Sequence, residues 1–113
     1  MSAMMSQLYR DPEPPRAEIH ASRGALVIEF GAPWCGHCQG AQAVIREVIG
    51  ANTGLRHLKI EDGRGKPLGR SFRVTRWPTL VFLQDGQELA RVVRPTDADA
   101  LKQALATLSV SVT

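Results

Sequence analysis

Residues 25–38 read ALVIEFGAPWCGHC and contain the two signals that decide the fold. The run ALVIEF (25–30) is apolar and rich in β-branched residues, which is the pattern of a strand buried in the centre of a sheet. Cys35 and Cys38 follow it three positions apart, and they are the only two cysteines of the chain. A buried strand that leads into a spaced cysteine pair predicts an α/β protein whose chemistry centres on the two thiols.

The size and composition of the chain fit one globular domain. It has 113 residues, of which 43% are hydrophobic and 22% are charged, and these values are ordinary for a folded domain. We expect a single domain over 1–113, with 1–5 disordered and 109–113 as a tail. The 14 basic and 11 acidic residues are scattered, with a formal net charge of +3, which argues against nucleic-acid binding.

The N-terminal residues 1–20 carry no recognisable targeting signal. They lack the basic start and apolar run of a signal peptide, and Asp11, Glu13 and Glu18 argue against a transit peptide. No stretch approaches the roughly 18 apolar residues that a membrane helix needs. We therefore expect a cytoplasmic protein without membrane association, although a mature chain whose signal had been removed would look the same. Two cysteines in a cytosolic chain indicate redox chemistry or metal binding.

The rest of the sequence predicts alternating strands and helices around the central strand. The predicted elements are a short strand at 6–10, a helix from Pro14 or Pro15 to about Ser22, the strand 25–30, a helix from near Cys35 to before Gly50, a strand at 55–61, a loop with a short helix reaching Phe72, strands at 79–84 and 88–94, and a last helix capped by Thr96. Asp85 and Gly86 are a strong hairpin signal. This order predicts a mixed sheet with helices on both faces.

The spacing of the cysteines suits reversible disulfide chemistry. Residues i and i+3 share one face of a helix, so Cys35 and Cys38 in its first turn are placed to close and open a disulfide. Cys35 is nearer the helix N-terminus, where the dipole favours negative charge, and we expect it to ionise more readily and act as nucleophile. Cys38 should stay protonated longer. Gly36 permits close approach of a substrate, and a protonated His37 adds positive charge beside Cys35.

Two other interpretations of the cysteine pair remain open. Both cysteines can be inert core residues, although the start of a helix is an unusual place for them. A zinc or iron–sulfur site needs about four ligands. Only His20, His37 and His57 are available to supplement the cysteines, so a metal would mostly require a second chain. Thiol–disulfide exchange explains the pair best, and we expect no bound cofactor or metal.

The segment FGAPWCGHC (30–38) resembles the active-site segment of the thioredoxin family, and its CGHC resembles the form found in protein disulfide isomerase domains. The resemblance covers residues 25–108 and includes FRVTRWPT (72–79) and the Asp85–Gly86 hairpin. It implies the α/β thioredoxin fold, with a central mixed sheet flanked by helices on both faces. It also implies a monomeric protein-disulfide oxidoreductase that acts on disulfides in proteins and is recycled by a thioredoxin reductase that uses NADPH.

Glu29 and Pro78 take their interpretation from this resemblance. Glu29 matches the buried acidic residue of the family, which implies a pKa raised by burial and a role in accepting the proton of Cys38. The alternative is a side chain that reaches water at the end of the sheet. Pro78 resembles the family's cis-proline, where the backbone of residue 77 pairs with an extended substrate. The alternative is a proline that simply begins a strand.

The aromatic and basic residues near the site imply how substrates bind. Trp34 matches an exposed tryptophan beside the disulfide, with core packing as the alternative, and Trp77 is expected to narrow the substrate groove. Arg76 stands where the family often has glycine, and Arg94 stands in a turn that usually contains glycine and borders the groove. Both arginines add bulk and positive charge, so we expect a narrower choice of substrates that favours acidic partners.

Other positions depart from the family pattern or have lesser roles. Ala43 replaces a proline of the family's active-site helix, so we expect a weaker kink and flexibility at Gly40 instead. Lys59 is expected to approach Glu29 from the neighbouring strand, as a lysine does in thioredoxin. His20 and His57 are expected to be surface or packing residues.

The direction of electron transfer is the open part of the functional prediction. A histidine within the CxxC motif makes the couple more oxidising, and reduction potentials are about −270 mV for thioredoxin and about −180 mV for protein disulfide isomerase. In a reducing cytosol such a pair stays mostly reduced, so a disulfide reductase is the main prediction. The alternatives are a disulfide oxidase or isomerase, and a redox-sensing or chaperone-like binding module.

Overall fold

The computed structural model describes residues 8–109, which form four strands and four helices. The helices are α1 (Arg16–Ala21), α2 (Gly36–Val48), α3 (Pro67–Ser71) and α4 (Ala98–Leu105); the strands are β1 (Ala25–Gly31), β2 (Arg56–Glu61), β3 (Thr79–Gln84) and β4 (Gln87–Val93). The strand order is β2-β1-β3-β4, with β1 parallel to β2 and antiparallel to β3. None of these helices is long and apolar enough to cross a membrane.

The central strand β1 divides the core into two clusters because it is buried along its whole length. Successive side chains of a strand point to opposite faces of the sheet. Val27 therefore packs in one cluster with Leu101 of α4 and with residues of α2. Ile28 packs in the other cluster with Ile19 of α1 and with Phe72, which follows α3. Helices cover both faces of a mixed sheet, which confirms the predicted thioredoxin fold.

The hairpin that joins β3 to β4 turns at the two residues that the sequence indicated. Asp85 and Gly86 have φ values of 52° and 83°, the left-handed conformation that a two-residue hairpin requires at both positions. The carboxylate of Asp85 also accepts a hydrogen bond from the backbone N–H of Gly24 at 2.8 Å. A side chain on Gly86 would overlap the carbonyl of His20. The turn therefore fixes both the hairpin and its contact with the end of α1.

Two predicted features at the ends of the described segment are wrong. Residues 8–10 form no strand, and Arg10 instead donates a backbone hydrogen bond to the Lys59 carbonyl at 2.8 Å. The cap of α4 is Asp97 rather than Thr96: the Asp97 carboxylate accepts from the N–H of Asp99 at 3.0 Å. The predicted disorder of 1–5, and the tail beyond residue 109, lie outside the described residues.

Candidate functional site

The loop after β1 delivers the cysteine pair to the start of α2. Cys35 is the N-cap of α2, one residue before the helix, and Cys38 lies in its first turn. The N–H of Cys38 donates to Sγ of Cys35 at 3.1 Å. Both residues are free thiols, with 8% exposure for Cys35 and 2% for Cys38. The thiol of Cys35, at the start of the helix, therefore keeps some contact with solvent, and the thiol of Cys38 is shielded behind it.

Burial sets the pKa of the Cys38 thiol. Desolvation raises the pKa of Cys38 to about 12, and the hydrogen bond with Cys35 and the charge of Glu29 act in the same direction. The sulfur fits because Gly31 has no side chain: a Cβ on Gly31 would lie 2.5 Å from Sγ of Cys38. Cys38 is thus a thiol at neutral pH, as predicted, and it must lose its proton before it can attack a disulfide.

Glu29 lies on the face of the sheet that α2 covers and is only 1% exposed. The amide of Gln42 donates to Oε2 of Glu29 at 2.8 Å and to the Cys38 carbonyl at 2.9 Å. Nε2 of His57 lies 3.0 Å from Oε1 of Glu29, and an ionised carboxylate accepts the hydrogen bond from the ring. The alternative in which Glu29 reaches water at the end of the sheet is therefore wrong.

The predicted rise in the pKa of Glu29 is also wrong. Burial is the largest influence and does raise the pKa of this carboxyl. Hydrogen bonds from His57 and Gln42, together with the charges of His57 and Lys59, outweigh burial and lower the pKa below its ordinary value. Lys59 is in register with Glu29 on β2, as predicted, and its Nζ donates to Oε1 of Gln42 at 3.3 Å.

His57 and Gln42 are site residues that the sequence reasoning missed. His57 was assigned to the surface or to packing, yet it contacts the buried carboxylate of Glu29. The signal was present in the alternation of β2, because Leu58 and Ile60 join the cluster on the opposite face of the sheet. That alternation puts His57 on the same face as Lys59. Gln42 has a weaker signal: it lies one helical turn after Cys38 on α2.

Tyr9 is a further site residue, and nothing in the sequence pointed to it. A Cβ on Gly31 would meet the Tyr9 hydroxyl at 3.3 Å as well as the Cys38 sulfur, so the hydroxyl and the sulfur are close neighbours. Nζ of Lys59 lies 4.9 Å from the centroid of the Tyr9 ring. Burial, followed by the charges of Cys38 and Glu29, raises the pKa of Tyr9. The hydroxyl therefore stays neutral beside Cys38.

Two indole rings stand beside the cysteines. Trp34 is 70% exposed, which excludes core packing, and its ring meets that of Trp77 edge to face, with centroids 5.2 Å apart. Nε1 of Trp77 donates to Oδ2 of Asp62 at 2.8 Å, so this ring is held in place. The Trp77–Pro78 peptide bond is cis, as the resemblance implied. Arg76 is exposed, and its carbonyl accepts from the hydroxyl of Thr79 at 2.7 Å.

Arg94 directly follows β4, and its side chain reaches the backbone before the cis-proline. Its Nε donates to the Trp77 carbonyl at 2.9 Å, and its backbone N–H donates to the Pro78 carbonyl at 2.9 Å. It adopts a left-handed conformation, with φ of 52°. Arg94, Gly36 and His37 line a groove of about 460 Å³ beside the start of α2. The structure thus brings three of the predicted site residues to one groove.

Within residues 8–109 of one chain, no group of three or more His, Cys, Asp or Glu side chains is placed to hold an ion. His57 is engaged with Glu29. His37 is exposed in the first turn of α2, and His20 is exposed on α1. Within this part of the chain the two thiols are the reactive groups of the site.

Comparisons with known proteins agree with this architecture. A family model described as Thioredoxin matches residues 11–107. The solved structure of thioredoxin 2 from Pseudomonas aeruginosa PAO1 in its reduced form is similar, with a TM-score of 0.81, 48% identity, and coverage of 91% of this chain and 95% of that chain.

Curated relatives include proteins longer than this chain. Thioredoxin H2-1 from Oryza sativa subsp. japonica is 35% identical over 86 residues, which is 76% of this chain and 62% of the relative. Protein disulfide-isomerase A2 from Pongo abelii is 42% identical over 66 residues, which is 55% of this chain and 13% of the relative. The chain therefore spans less than two thirds of the length of these two proteins.

Proposed function

Because the chain belongs to the thioredoxin family, we propose that it is a thiol–disulfide oxidoreductase that reduces disulfides in proteins through Cys35 and Cys38. One observation carries the proposal: two free thiols meet at the N-terminus of α2, joined by the 3.1 Å hydrogen bond from Cys38 N–H to Cys35 Sγ. One thiol keeps contact with solvent and the other is shielded. This asymmetry supports a first attack by Cys35 and a second by Cys38.

The reaction runs through a mixed disulfide. The Cys35 thiolate attacks one sulfur of the substrate disulfide, that S–S bond breaks, and the other substrate sulfur leaves as a thiolate and takes a proton. Cys38 then loses its proton and attacks Sγ of Cys35. The Cys35–Cys38 bond forms, the bond to the substrate breaks, and the second substrate sulfur leaves and is protonated. The substrate gains two electrons and two protons, and the enzyme is left oxidised.

The start of α2 supports the role of Cys35. The first N–H groups of a helix have no partner within the helix, and the helix dipole is positive there. The Cys38 N–H is directed at the Cys35 sulfur, and such a donor stabilises a thiolate. His37 is exposed in the same turn, two residues after Cys35. Glu29 then acts as the acceptor for the proton of Cys38.

The surface beside the cysteines suits an extended substrate segment. The paired rings of Trp34 and Trp77 provide an apolar patch there, and the backbone at residue 77 offers main-chain pairing of the kind that an added strand uses. The Trp77 carbonyl already accepts a hydrogen bond from Nε of Arg94 at 2.9 Å, so a substrate that pairs there shares this oxygen with the guanidinium. An acidic group near the substrate disulfide can bind the guanidinium of Arg94. Arg76 adds a second positive charge.

The proposal also covers the direction of electron transfer and the partners of the chain. We assign the chain to reduction in the cytoplasm, with recycling by a thioredoxin reductase that uses NADPH. The similarity to protein disulfide-isomerase A2 over 66 residues and the CGHC sequence favour disulfide oxidation or isomerisation as the second candidate. The redox potential of the Cys35–Cys38 pair separates the two.

An insulin-reduction assay tests the proposed function. We expect the wild-type chain to reduce insulin with dithiothreitol as electron source, and Cys35→Ser to reduce the rate to the background of dithiothreitol alone. Cys38→Ser should trap the mixed disulfide on Cys35, which intact-mass measurement detects. Activity that survives Cys35→Ser, or a mixed disulfide on Cys38 instead of Cys35, would contradict the proposal. An inactive wild type that binds reduced clients would support a binding module instead.

A further inference from the structure

The two exposed indole rings beside the cysteines are tied to a carboxylate outside the active-site loop. We propose that Asp62 is a positioning residue for substrate binding: it holds the ring of Trp77, and through it that of Trp34, as one fixed apolar surface. The substrate class that fits is a disulfide with an apolar side chain next to its cysteine. This inference rests on the proposed function, because it concerns how a protein disulfide binds beside Cys35.

A hydrogen bond between Trp77 and Asp62 carries the inference. Nε1 of Trp77 donates to Oδ2 of Asp62 at 2.8 Å. The indole N–H is the only hydrogen-bonding group of a tryptophan side chain, so this bond is the polar contact that sets the orientation of the ring. Within residues 8–109, the Asp62 carboxylate takes part in no other hydrogen bond and in no ion pair. The carboxylate therefore serves the indole rather than a basic side chain.

The position of Asp62 is itself fixed by two neighbouring elements. Asp62 directly follows β2, and its backbone N–H donates to the Gly31 carbonyl of β1 at 2.8 Å. Its carboxylate lies against Gly69, a buried residue of α3, where a Cβ would overlap Oδ1. The space for the carboxylate exists because Gly69 has no side chain. Asp62 is thus a rigid acceptor, which is what a group that orients another side chain requires.

The ring that Asp62 anchors contacts both the thiols and the exposed aromatic surface. Trp77 packs against the buried cluster of Ala32, Cys35 and Cys38. Its ring also meets that of Trp34 edge to face, and Trp34 is 70% exposed. Within residues 8–109, Trp34 makes no other contact with an aromatic ring or a cation. The placement of its exposed ring therefore depends on Trp77.

A fixed pair of rings beside Cys35 favours the binding of an apolar side chain. Such a side chain would bury its surface against the rings of Trp34 and Trp77 and gain the free energy of that burial. Rings that are already held in one orientation lose little conformational freedom when the substrate binds. Without the anchor at Asp62, each binding event must also order the rings. The loss falls on substrate binding, so it appears in KM rather than in kcat.

Steady-state kinetics with two matched peptides test the role of Asp62. Each peptide contains one disulfide, and the two differ only in leucine or serine next to the cysteine; dithiothreitol is the electron source. We expect the wild type to have the lower KM for the leucine peptide. Asp62→Ala should raise that KM about tenfold, the lower end of the effect of a hydrogen bond to a charged group, and should leave kcat and the KM for the serine peptide nearly unchanged.

The matched control is Asp99→Ala, which removes an exposed aspartate from the first turn of α4. Asp99 lies outside the site, so this variant should alter neither KM. Urea unfolding of each variant shows whether the chains that are compared are equally folded. A change in KM that is shared by both aspartate variants would come from net charge and would contradict the role of Asp62.

Two further variants show whether Asp62 acts through the indole N–H. Asp62→Asn keeps an oxygen that can accept this hydrogen bond, and it should retain most of the affinity for the leucine peptide. Trp77→Phe keeps an aromatic ring but removes the donor, and it should raise the KM for the leucine peptide. Asp62→Ala added to Trp77→Phe should then have little further effect, because substitutions at two ends of one contact are not additive.

Three results would overturn the inference while the proposed function stood. One is an unchanged KM for the leucine peptide in Asp62→Ala, and another is full additivity of Asp62→Ala and Trp77→Phe. The third is a wild type that does not distinguish the leucine from the serine peptide. Trp77→Phe leaves Asp62 in place, so an unchanged KM in this variant also counts against the inference, even if Asp62→Ala does not fold. A wild type that fails to reduce insulin contradicts the proposed function itself.

Discussion

The charge of Glu29 is set by its neighbours more than by its burial. A lone carboxylate in a sheet core would be expensive to ionise, yet two hydrogen bonds and the charges of His57 and Lys59 lower its pKa. A carboxyl whose pKa is lower in the folded than in the unfolded state adds stability above its unfolded pKa. That stability is lost as the pH falls through the folded pKa. The network therefore makes the fold more stable near neutral pH than in acid.

Glu29→Gln should reduce the acid sensitivity of the fold. The wild type should lose stability more steeply than the variant between about pH 5 and pH 2, because only the wild type must protonate a buried, hydrogen-bonded carboxylate. Urea unfolding at a series of pH values measures the difference. Glu18→Gln is the control, since Glu18 is an exposed partner of Arg10. Parallel pH curves for the wild type and Glu29→Gln would show that Glu29 is not stabilised in its ionised form.

At the scale of elements, the site is built where secondary structures end. Cys35 caps α2, cis-Pro78 directly precedes β3, and Arg94 directly follows β4. Arg94 adopts a left-handed backbone conformation that costs a residue with a side chain about 1–2 kcal/mol. Its side chain contributes a hydrogen bond to the Trp77 carbonyl. Arg94 thus has a strained backbone conformation and places its side chain in the groove beside the start of α2.

Arg94→Gly tests the contribution of this junction to substrate choice. Relief of strain and loss of the hydrogen bond act in opposite directions, so we expect the free energy of unfolding to change by about 1 kcal/mol or less. The preference for disulfide peptides with acidic over basic flanks should fall several-fold in kcat/KM. Arg73→Gly is the matched control: Arg73 is also exposed, has φ of 59°, and does not line the Arg94 groove. Equal selectivity in the wild type and Arg94→Gly would contradict the role of Arg94.

At the scale of the whole molecule, the sequence predicted the framework better than the site. The central strand, α2 and the hairpin follow from an apolar run, helical spacing and Asp85–Gly86, all of which are local signals. The roles of His57 and Tyr9 depend on packing between distant segments. His57 becomes a partner of Glu29 only when β2 pairs with β1, and Tyr9 reaches Cys38 from a segment that has no regular structure.

The failed predictions also arise because a short stretch of sequence does not reveal all the contacts of its residues. The apolar strand around Glu29 indicated burial, and burial alone raises the pKa of a carboxyl. The hydrogen bonds that reverse the shift come from α2 and β2, which the local sequence around Glu29 does not reveal. At the start of α4, Thr96 and Asp97 are both good caps, and sequence preference alone does not choose between neighbours.

The direction of electron flow depends on the reduction potential of the Cys35–Cys38 pair relative to that of its compartment. We expect a reduction potential for the Cys35–Cys38 pair closer to about −180 mV than to −270 mV, because a histidine within the CxxC motif makes the couple more oxidising. His37→Gln should make the couple more reducing by roughly 30 mV, which corresponds to about 1.4 kcal/mol. Equilibration with glutathione measures both values.

His20→Gln, which changes an exposed histidine on α1, should leave the potential unchanged. A wild-type potential near −270 mV would contradict the contribution assigned to His37. A shift of equal size in both histidine variants would also contradict it, since the effect would then come from net charge alone.

The edge-to-face pair of Trp34 and Trp77 has a practical consequence. These are the only two tryptophans of the chain, and their rings stand 5.2 Å apart beside the reactive sulfurs. Ultraviolet emission from the protein therefore originates almost entirely from one small patch of surface. We expect this tryptophan fluorescence to report the opening and closing of the Cys35–Cys38 disulfide in real time, without an attached dye.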